Sequence, residues 1–304
     1  MQGLTLALDW TPNINHIGFF VAHDLGLYAQ RGIQLSISNP VEDNYQLTPG
    51  KKLELGRADF AIAPFETVIS LNNKANKVDA VAVYAILQED LSSIVTLADS
   101  AIDSPRQLDS KSYASYKARY EDHIVRQLIK NDQGQGNLNI LYPNKLGIWN
   151  TLLEGKADST WIFDNWEGVE AEAKGVRLHK FKMQDYGIPY GYSPVILTKM
   201  DAIKKNKEVY HQFIQGTKEG FLFAKKDPQA AVAILRKYVT DYDLHNVDLD
   251  QSLQVTAPFF GDKNTSGIMQ AERVQAFTNW LVDNGLEEAH ILQQTLYSNE
   301  LLVN

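Results

Sequence analysis

Gly56-Arg57-Ala58-Asp59 and Gly155-Lys156-Ala157-Asp158 are two copies of one four-residue pattern, the second lying 99 residues after the first. Each copy follows a helix-like apolar pattern and precedes an apolar run typical of a β-strand. Glycine at such a junction can adopt the left-handed conformation that ends a helix before the chain enters a sheet. The repeat therefore predicts two lobes of similar build, although a match of four residues is also compatible with coincidence.

Short apolar segments alternate with helical patterns along the chain, which indicates the α/β class. The predicted strands are 4–8, 33–38, 58–62, 79–86, 94–97, 138–141, 159–163 and 195–197. The predicted helices are 17–30, 65–74, 121–130 and 145–153, and the sequence after residue 207 is almost entirely helical. Asp227-Pro228 is typical of a helix start, and Asn284-Gly285 of a helix end after 271–283.

Composition excludes several classes of protein. A chain of 304 residues, 44% hydrophobic and 22% charged, is long enough for about two domains with their own cores. The net charge of -8, without a basic and aromatic run, argues against nucleic-acid binding. The absence of cysteine excludes disulfides and thiolate chemistry, and the seven histidines show no metal-ligand spacing. We therefore expect neither a metal nor a cofactor.

Three strand exits combine aromatic side chains with carboxylates or amides, at 9–16, 63–67 and 161–167. In open α/β sheets, ligands bind beyond the carboxyl ends of the strands. Aromatic faces with a few convergent polar groups suit a flat, polar heterocycle. The candidate ligand-binding residues in these exits are Trp10, Asn13, His16, Glu66, Trp161, Asn165, Trp166 and Glu167.

Some of these residues have an equally good structural interpretation. Asn13 is suited to shape the turn after Pro12, and His16 to cap or pack against the following helix. Glu66 stands in the first turn of a predicted helix, where the dipole favours a carboxylate. Ligand contact and a structural role are therefore both open for each of them.

Four further candidates lie outside the three exits. Tyr116 and Arg119 follow a strand-like segment at 112–115 and are placed to line the opposite wall. Arg119 is able to bind an anionic group bidentately, although a solvated helix face explains it as well. Tyr186 and Tyr190 lie shortly before the last predicted strand.

The segment Asp9-Trp10-Thr11-Pro12-Asn13, with His16 three residues on, resembles the opening of periplasmic binding proteins for thiamine-pyrimidine precursors. Segments 23–33, 185–189, 280–286 and 297–301 agree with that family or with the wider sulfonate, nitrate and pyrimidine-binding group. The resemblance covers nearly the whole chain. It implies the solute-binding component of an ABC importer.

The resemblance implies an α/β fold of the type II periplasmic binding protein, with two lobes joined by two crossover segments and a ligand cleft between them. Lobe one would comprise residues 1–88 and 195–304, and lobe two residues 89–194, with crossovers near 88–92 and 192–194. Family relatives stack the pyrimidine on aromatic rings and hold its polar edge with Asn and Glu. The residues nearest to those positions are Trp10, Asn13, Trp161, Trp166 and either Asn165 or Glu167.

The same resemblance implies a monomer that closes on a pyrimidine or similar heterocycle and then docks on an ABC permease in the membrane. A periplasmic or cell-surface location follows from this function. No export signal precedes the first predicted strand, so a cytoplasmic location stays open.

Other functions share this fold. A fungal relative is a pyrimidine synthase that consumes its own histidine and a lysine-bound pyridoxal phosphate, with a cysteine-rich iron segment. Here 61–67 contains neither lysine nor histidine, and 186–192 carries tyrosine and glycine where the cysteines would lie. We therefore predict that the chain is not an enzyme and has no catalytic residue. A nitrate- or sulfonate-type anion binder, a riboflavin-precursor binder and a cytosolic sensor stay as alternatives.

Overall fold

The computed structural model describes residues 1–303, which form two five-stranded mixed sheets. The first contains β1 (Gln2–Ala7), β2 (Ile33–Ser38), β3 (Phe60–Ala63), β4 (Ala80–Ala85) and β10 (Val195–Lys199), in the order β2-β1-β3-β10-β4. The second contains β5 (Ser92–Leu97), β6 (Ser112–Ala114), β7 (Asn139–Leu141), β8 (Ser159–Phe163) and β9 (Leu178–Phe181), in the order β7-β6-β8-β5-β9. The predicted α/β class with two lobes is confirmed.

Helices cover both sheets. They are α1 (Ile17–Asp24), α2 (Leu27–Gln30), α3 (Pro49–Glu54), α4 (Glu66–Asn72), α5 (Glu121–Asn131), α6 (Ile148–Leu153), α7 (Glu167–Ala173), α8 (Met200–Lys226), α9 (Pro228–Leu235), α10 (Asp241–Asn246), α11 (Leu249–Thr256) and α12 (Ala271–Asp283). The single helix predicted over 17–30 is wrong, because Gly26 has a φ of 68° and separates α1 from α2. Strand β9 and helix α7 were not predicted.

The chain crosses between the sheets twice, and the two crossings are equivalent. Strand β4, at the edge of the first sheet, leads through 86–91 into β5, the fourth strand of the second sheet. Strand β9, at the edge of the second sheet, leads through 182–194 into β10, the fourth strand of the first. Both β5 and β10 run antiparallel to their neighbours. The predicted lobe boundaries at 88/89 and 194/195 stay a prediction.

The repeated pattern has the same structure in both lobes. Gly56 and Gly155 have φ values of 68° and 67°, and each ends its helix with the pair of reverse hydrogen bonds of a Schellman motif. The aspartate that closes each copy then joins the neighbouring strand. Asp59 Oδ2 accepts from Thr5 N, and Asp158 Oδ2 accepts from Ser112 N, both at 2.8 Å.

The cores follow from alternation along the strands. In β4 the alanines face one side of the sheet, towards α4 and α12, while Val81 and Val83 face the other. On that second side α1 and α8 cross closely, and the crossing requires glycine at position 220. A Cβ atom there would lie only 2.0 Å from the carbonyl oxygen of Gly18. Within the described part of the chain, no helix has the length and apolar character needed to cross a bilayer.

Candidate ligand cleft between the lobes

A cavity of about 370 Å³ lies between the lobes, where the carboxyl ends of β1, β3, β6 and β8 meet. Parallel strands of one sheet end at the same edge, so four strand exits that are distant in sequence converge there. Nine predicted site residues line this cavity: Trp10, Asn13, Glu66, Tyr116, Arg119, Trp161, Trp166, Glu167 and Tyr190.

Aromatic side chains from both lobes form the walls. The ring centroid of Trp10 lies 6.1 Å from that of Tyr45 and 5.9 Å from that of Tyr116, in edge-to-face arrangements. Tyr116 follows β6, so this contact joins the second lobe to the first. On another wall Trp161 lies 5.1 Å from Tyr190, also edge to face. Such pairs fix the rings that line the cavity before any ligand arrives.

Glu66 is a buried carboxyl at the first position of α4, with 4% of its surface exposed. Tyr190 Oη donates to its Oε1 at 3.1 Å. Burial raises the pKa of this carboxyl to about 7, because it penalises the charged form more than the helix amide and Tyr190 favour it. Glu66 therefore begins a helix, as its structural interpretation requires, and also lines the cavity, so that its ligand contact stays a prediction.

Glu167 occupies the corresponding position in the second lobe, at the start of α7. Its Oε2 accepts from Phe163 N at 3.0 Å, and burial at the cavity wall raises its pKa to about 7. A carboxyl with such a pKa is able to donate a hydrogen bond when protonated and to accept one when ionised. The two glutamates can thus match both donors and acceptors on a ring edge.

Asn13 and His16 shape the loop that carries Trp10. Asn13 Oδ1 accepts from Asn15 N at 2.9 Å and its Nδ2 donates to Thr11 O, so its amide is engaged in the turn although the residue lines the cavity. His16 is fully buried behind the loop, with Nε2 2.8 Å from Asp9 Oδ1. His16 does not line the cavity. Its Nδ1 accepts from Asn13 N at 3.3 Å and so caps the 3₁₀ turn Ile14–His16, in agreement with its structural interpretation.

Asn165 and Tyr186 also lie outside the cavity lining. Asn165 Nδ2 donates to Asn15 Oδ1 at 2.8 Å and to Thr256 Oγ1 at 3.0 Å, so this buried amide joins the second lobe to the first. Tyr186 ends a short 3₁₀ turn at Met183–Tyr186, and its carbonyl accepts from Asn131 Nδ2. The sequence left open whether Asn165 or Glu167 is the polar ligand-contact residue of this segment, and of the two only Glu167 lines the cavity.

Arg119 is committed to an ion pair at the rim. Its Nε and Nη2 lie 2.8 Å and 2.5 Å from Oε1 of Glu287, a carboxylate that is 5% exposed. The same carboxylate accepts from Tyr120 Oη and from Asn73 Nδ2. The guanidinium therefore joins the lobes, and the expectation that it binds an anionic ligand group is not supported by its contacts.

The cavity lining also includes residues that were not predicted candidates, among them Asp9, Tyr45, Lys117 and Lys145. Tyr45 Oη donates to the carbonyl of Asp9 at 2.7 Å and so supports the Trp10 loop. Tyr45 could have been predicted from the sequence, because it follows the strand 33–38, and that strand ends at the same edge of the sheet. Among residues 1–303 no three side chains of His, Asp or Glu converge as metal ligands.

Comparison with known proteins identifies the family. The sequence model of the family described as NMT1/THI5 like matches residues 13–231. The chain is 22% identical to the formylaminopyrimidine-binding protein of Halalkalibacterium halodurans over 98% of its length and 90% of the relative. It is 21% identical to the riboflavin-binding protein RibY of Chloroflexus aurantiacus, over 99% and 86%. The 4-amino-5-hydroxymethyl-2-methylpyrimidine phosphate synthase THI5 of Saccharomyces cerevisiae is also 21% identical, over 75% and 68%.

Solved structures share the fold. The alkanesulfonate-binding protein SsuA from Xanthomonas axonopodis pv. citri superposes with a TM-score of 0.70 at 12% identity, covering 98% of this chain and 99% of that one. The periplasmic nitrate-binding protein NrtA from Synechocystis PCC 6803 superposes with a TM-score of 0.73 at 10% identity, covering 99% and 87%. The predicted type II periplasmic-binding-protein architecture is therefore confirmed.

Proposed function

We propose that this chain, which belongs to the NMT1/THI5-like family, is the solute-binding component of an ABC importer and captures a pyrimidine or similar nitrogen heterocycle between its lobes. The observation that carries the proposal is the cavity of about 370 Å³, walled by aromatic rings from both lobes and lined by the carboxyls of Glu66 and Glu167, whose pKa values are raised by loss of hydration. Rings supply stacking surface, and carboxyls near neutrality supply hydrogen bonds to ring nitrogens and amino groups.

The ligand-contact residues that we propose are Trp10, Tyr116, Trp161, Trp166 and Tyr190 for the rings, and Glu66 and Glu167 for the polar edge. Closure of the lobes would bring the two sets together, with hinges in the crossover segments 86–91 and 182–194. A ligand that contacts both lobes favours the closed state through its differential affinity. The closed form would then be recognised by a permease at the outer side of the cytoplasmic membrane.

A pyrimidine is favoured over the ligands of other relatives. Nitrate- or sulfonate-type ligands need several donors and little aromatic surface, whereas the deep part of this cavity presents two carboxyls and several rings. The formylaminopyrimidine-binding relative supports the heterocycle, and the RibY relative makes riboflavin the second candidate.

Binding without turnover is supported by the residues present. The chain contains no cysteine to form an iron-binding cluster. Within residues 1–303 no histidine lines the cavity, since His16 is buried behind the Trp10 loop. A synthase that consumes its own histidine has no such residue available here.

Isothermal titration calorimetry of the purified protein tests the proposal. The ligands are a formylaminopyrimidine, 4-amino-5-hydroxymethyl-2-methylpyrimidine, riboflavin, an alkanesulfonate and nitrate. We expect one of the two pyrimidines to bind most tightly and to raise the melting temperature, because a ligand at 100 times its Kd adds about 2.7 kcal/mol of stability. Selective binding of riboflavin or of the anions would refute the pyrimidine assignment.

A further inference from the structure

Two lysines at the cavity rim have no acidic partner. Lys117 lies in the loop after β6, and Lys145 lies on the 3₁₀ turn before α6. Both line the cavity, and within residues 1–303 neither ammonium has a carboxylate oxygen within 4.0 Å. Lys145 Nζ lies 4.9 Å above the centre of the Tyr45 ring, which itself packs against Trp10. Lys117 Nζ lies 5.3 Å from the centre of the Tyr142 ring. The Lys145 ammonium therefore stands beside the aromatic pair that contains Trp10, and the exposed Lys117 lines the same cavity rim.

The other cations that line the cavity are already paired with acids. Lys51 and Lys74 pair with Glu54, and Arg119 pairs with Glu287. Asp9 contacts His16. The two lysines at the rim thus differ from every other cation of the lining in having no paired acid among the described residues.

One carboxylate, that of Glu121, attracts Lys145 from a distance. Its oxygens are engaged by their own loop, because they accept from Tyr113 Oη at 2.7 Å, Tyr116 N at 2.9 Å and Ala118 N at 3.0 Å. Burial lowers the pKa of Lys145, and the neighbouring positive charge of Lys117 adds to that effect. Two neighbouring cations that disfavour each other are stabilised when an anion binds between them.

The backbone holds Lys117 in place at a conformational cost. Its φ is 61°, a left-handed conformation that is uncommon for a residue with a side chain. Ser115 Oγ accepts from Lys117 N at 2.9 Å, and Glu121 fixes the residues on either side. Such backbone strain persists where the surrounding structure imposes it, and it concentrates at binding sites.

We infer that the rim formed by Lys117 and Lys145 is an anion subsite, and that the natural ligand is a heterocycle bearing an anionic substituent such as a phosphate or carboxylate. The inference rests on the proposed heterocycle function. The ring would lie among the aromatic residues with its polar edge at the glutamates, and the anionic substituent would extend past Trp10 to the two ammonium groups. This division explains how one cavity holds both carboxyls and free cations.

Paired ligands that differ only in charge test the inference. The affinities of 4-amino-5-hydroxymethyl-2-methylpyrimidine and of its phosphate monoester are measured by isothermal titration calorimetry at pH 7.5, in 50 mM and 300 mM salt. We expect the phosphate ester to bind about tenfold to a hundredfold more tightly, with a smaller advantage at high salt because mobile ions screen the charges.

The double variant Lys117→Met, Lys145→Met should lose that advantage while its affinity for the alcohol stays within about threefold, since methionine retains the apolar stem. A matched control removes Lys204 and Lys226, two exposed lysines of α8 that lie away from the cavity. This control has the same change in net charge and should retain the phosphate preference. Melting temperatures establish that all variants are folded.

Each result has a distinct meaning. Equal affinities for alcohol and ester in the wild type, or a preference that survives in the double variant, would overturn the anion subsite and leave the heterocycle proposal intact. Failure of both pyrimidines to bind, together with no binding of the formylaminopyrimidine or riboflavin, would refute the heterocycle proposal and the subsite that rests on it.

Discussion

Substitution of Glu66 by glutamine should stabilise the ligand-free protein, and increasingly so as the pH rises. Burial raises the pKa of Glu66 from 4.5 in the unfolded chain to about 7 in the folded one. Between these values the folded state binds more protons than the unfolded state, so the stability of the wild type falls as the pH rises. Glutamine has no charge to bury and can still accept from Tyr190 Oη.

The size of the effect follows from the same shift. A difference of about 2.5 pKa units corresponds to about 3 kcal/mol, fully expressed above pH 7 and almost absent below pH 4.5. At pH 5 the cost of ionising Glu66 is still less than about 1 kcal/mol. The advantage of Glu66→Gln over the wild type should therefore grow by about 2 to 3 kcal/mol between pH 5 and pH 8.

Urea unfolding without ligand at pH 5 and pH 8 provides the measurement. The control is Glu272→Gln, at an exposed glutamate on α12, which makes the same change in net charge at the surface. A Glu66→Gln advantage that stays constant or shrinks towards pH 8 would show that the carboxyl is ionised at little cost. The variant should also bind the heterocycle at least tenfold more weakly if the carboxylate contacts an amino group.

Three other changes address separate parts of the structure. Trp10→Ala should weaken heterocycle binding about tenfold to a hundredfold by calorimetry, whereas Trp10→Phe should retain most of the affinity because a stacking ring remains. Glu287→Gln should lower the affinity about threefold to tenfold although Glu287 does not line the cavity, and small-angle scattering should show a more extended ligand-free protein. Asp158→Ala should cost about 1 to 3 kcal/mol in urea unfolding, because Ser112 N and Oγ lose their acceptor, and an unchanged stability would contradict the role assigned to the repeat.

The fold could be predicted because its signals are local. Gly56 and Gly155 each end a helix through their own backbone conformation, and a few neighbouring residues suffice to indicate this. The strands at 33–38 and 159–163 have the predicted bounds for the same reason. The prediction of a single helix over 17–30 is wrong because Gly26 adopts the same left-handed conformation and ends α1. A glycine inside a helical pattern is thus as informative there as in the repeated pattern.

The candidate site could be predicted only in part, because several of its side chains are engaged by residues far away in the sequence. Arginine is a residue type that often binds anionic ligands. The guanidinium of Arg119 is instead paired with the carboxylate of Glu287, which lies 168 positions later in the sequence. Asn165 precedes the cavity residue Trp166 in the sequence. Its side-chain amide instead donates a hydrogen bond to Asn15, which lies 150 positions earlier. No local pattern reports such partners.

The contacts between the lobes bear on how the cleft would achieve its affinity. Trp10 meets Tyr116, Asn165 meets Thr256 and Arg119 meets Glu287, so lobe-to-lobe contacts lie at different sides of the cavity. Because these contacts favour the closed arrangement, a ligand would have to contribute only the remaining difference between open and closed states. Residues outside the cavity lining would thus set part of the ligand affinity. The candidate site that we propose accordingly extends from the cavity wall to the ion pair at its rim.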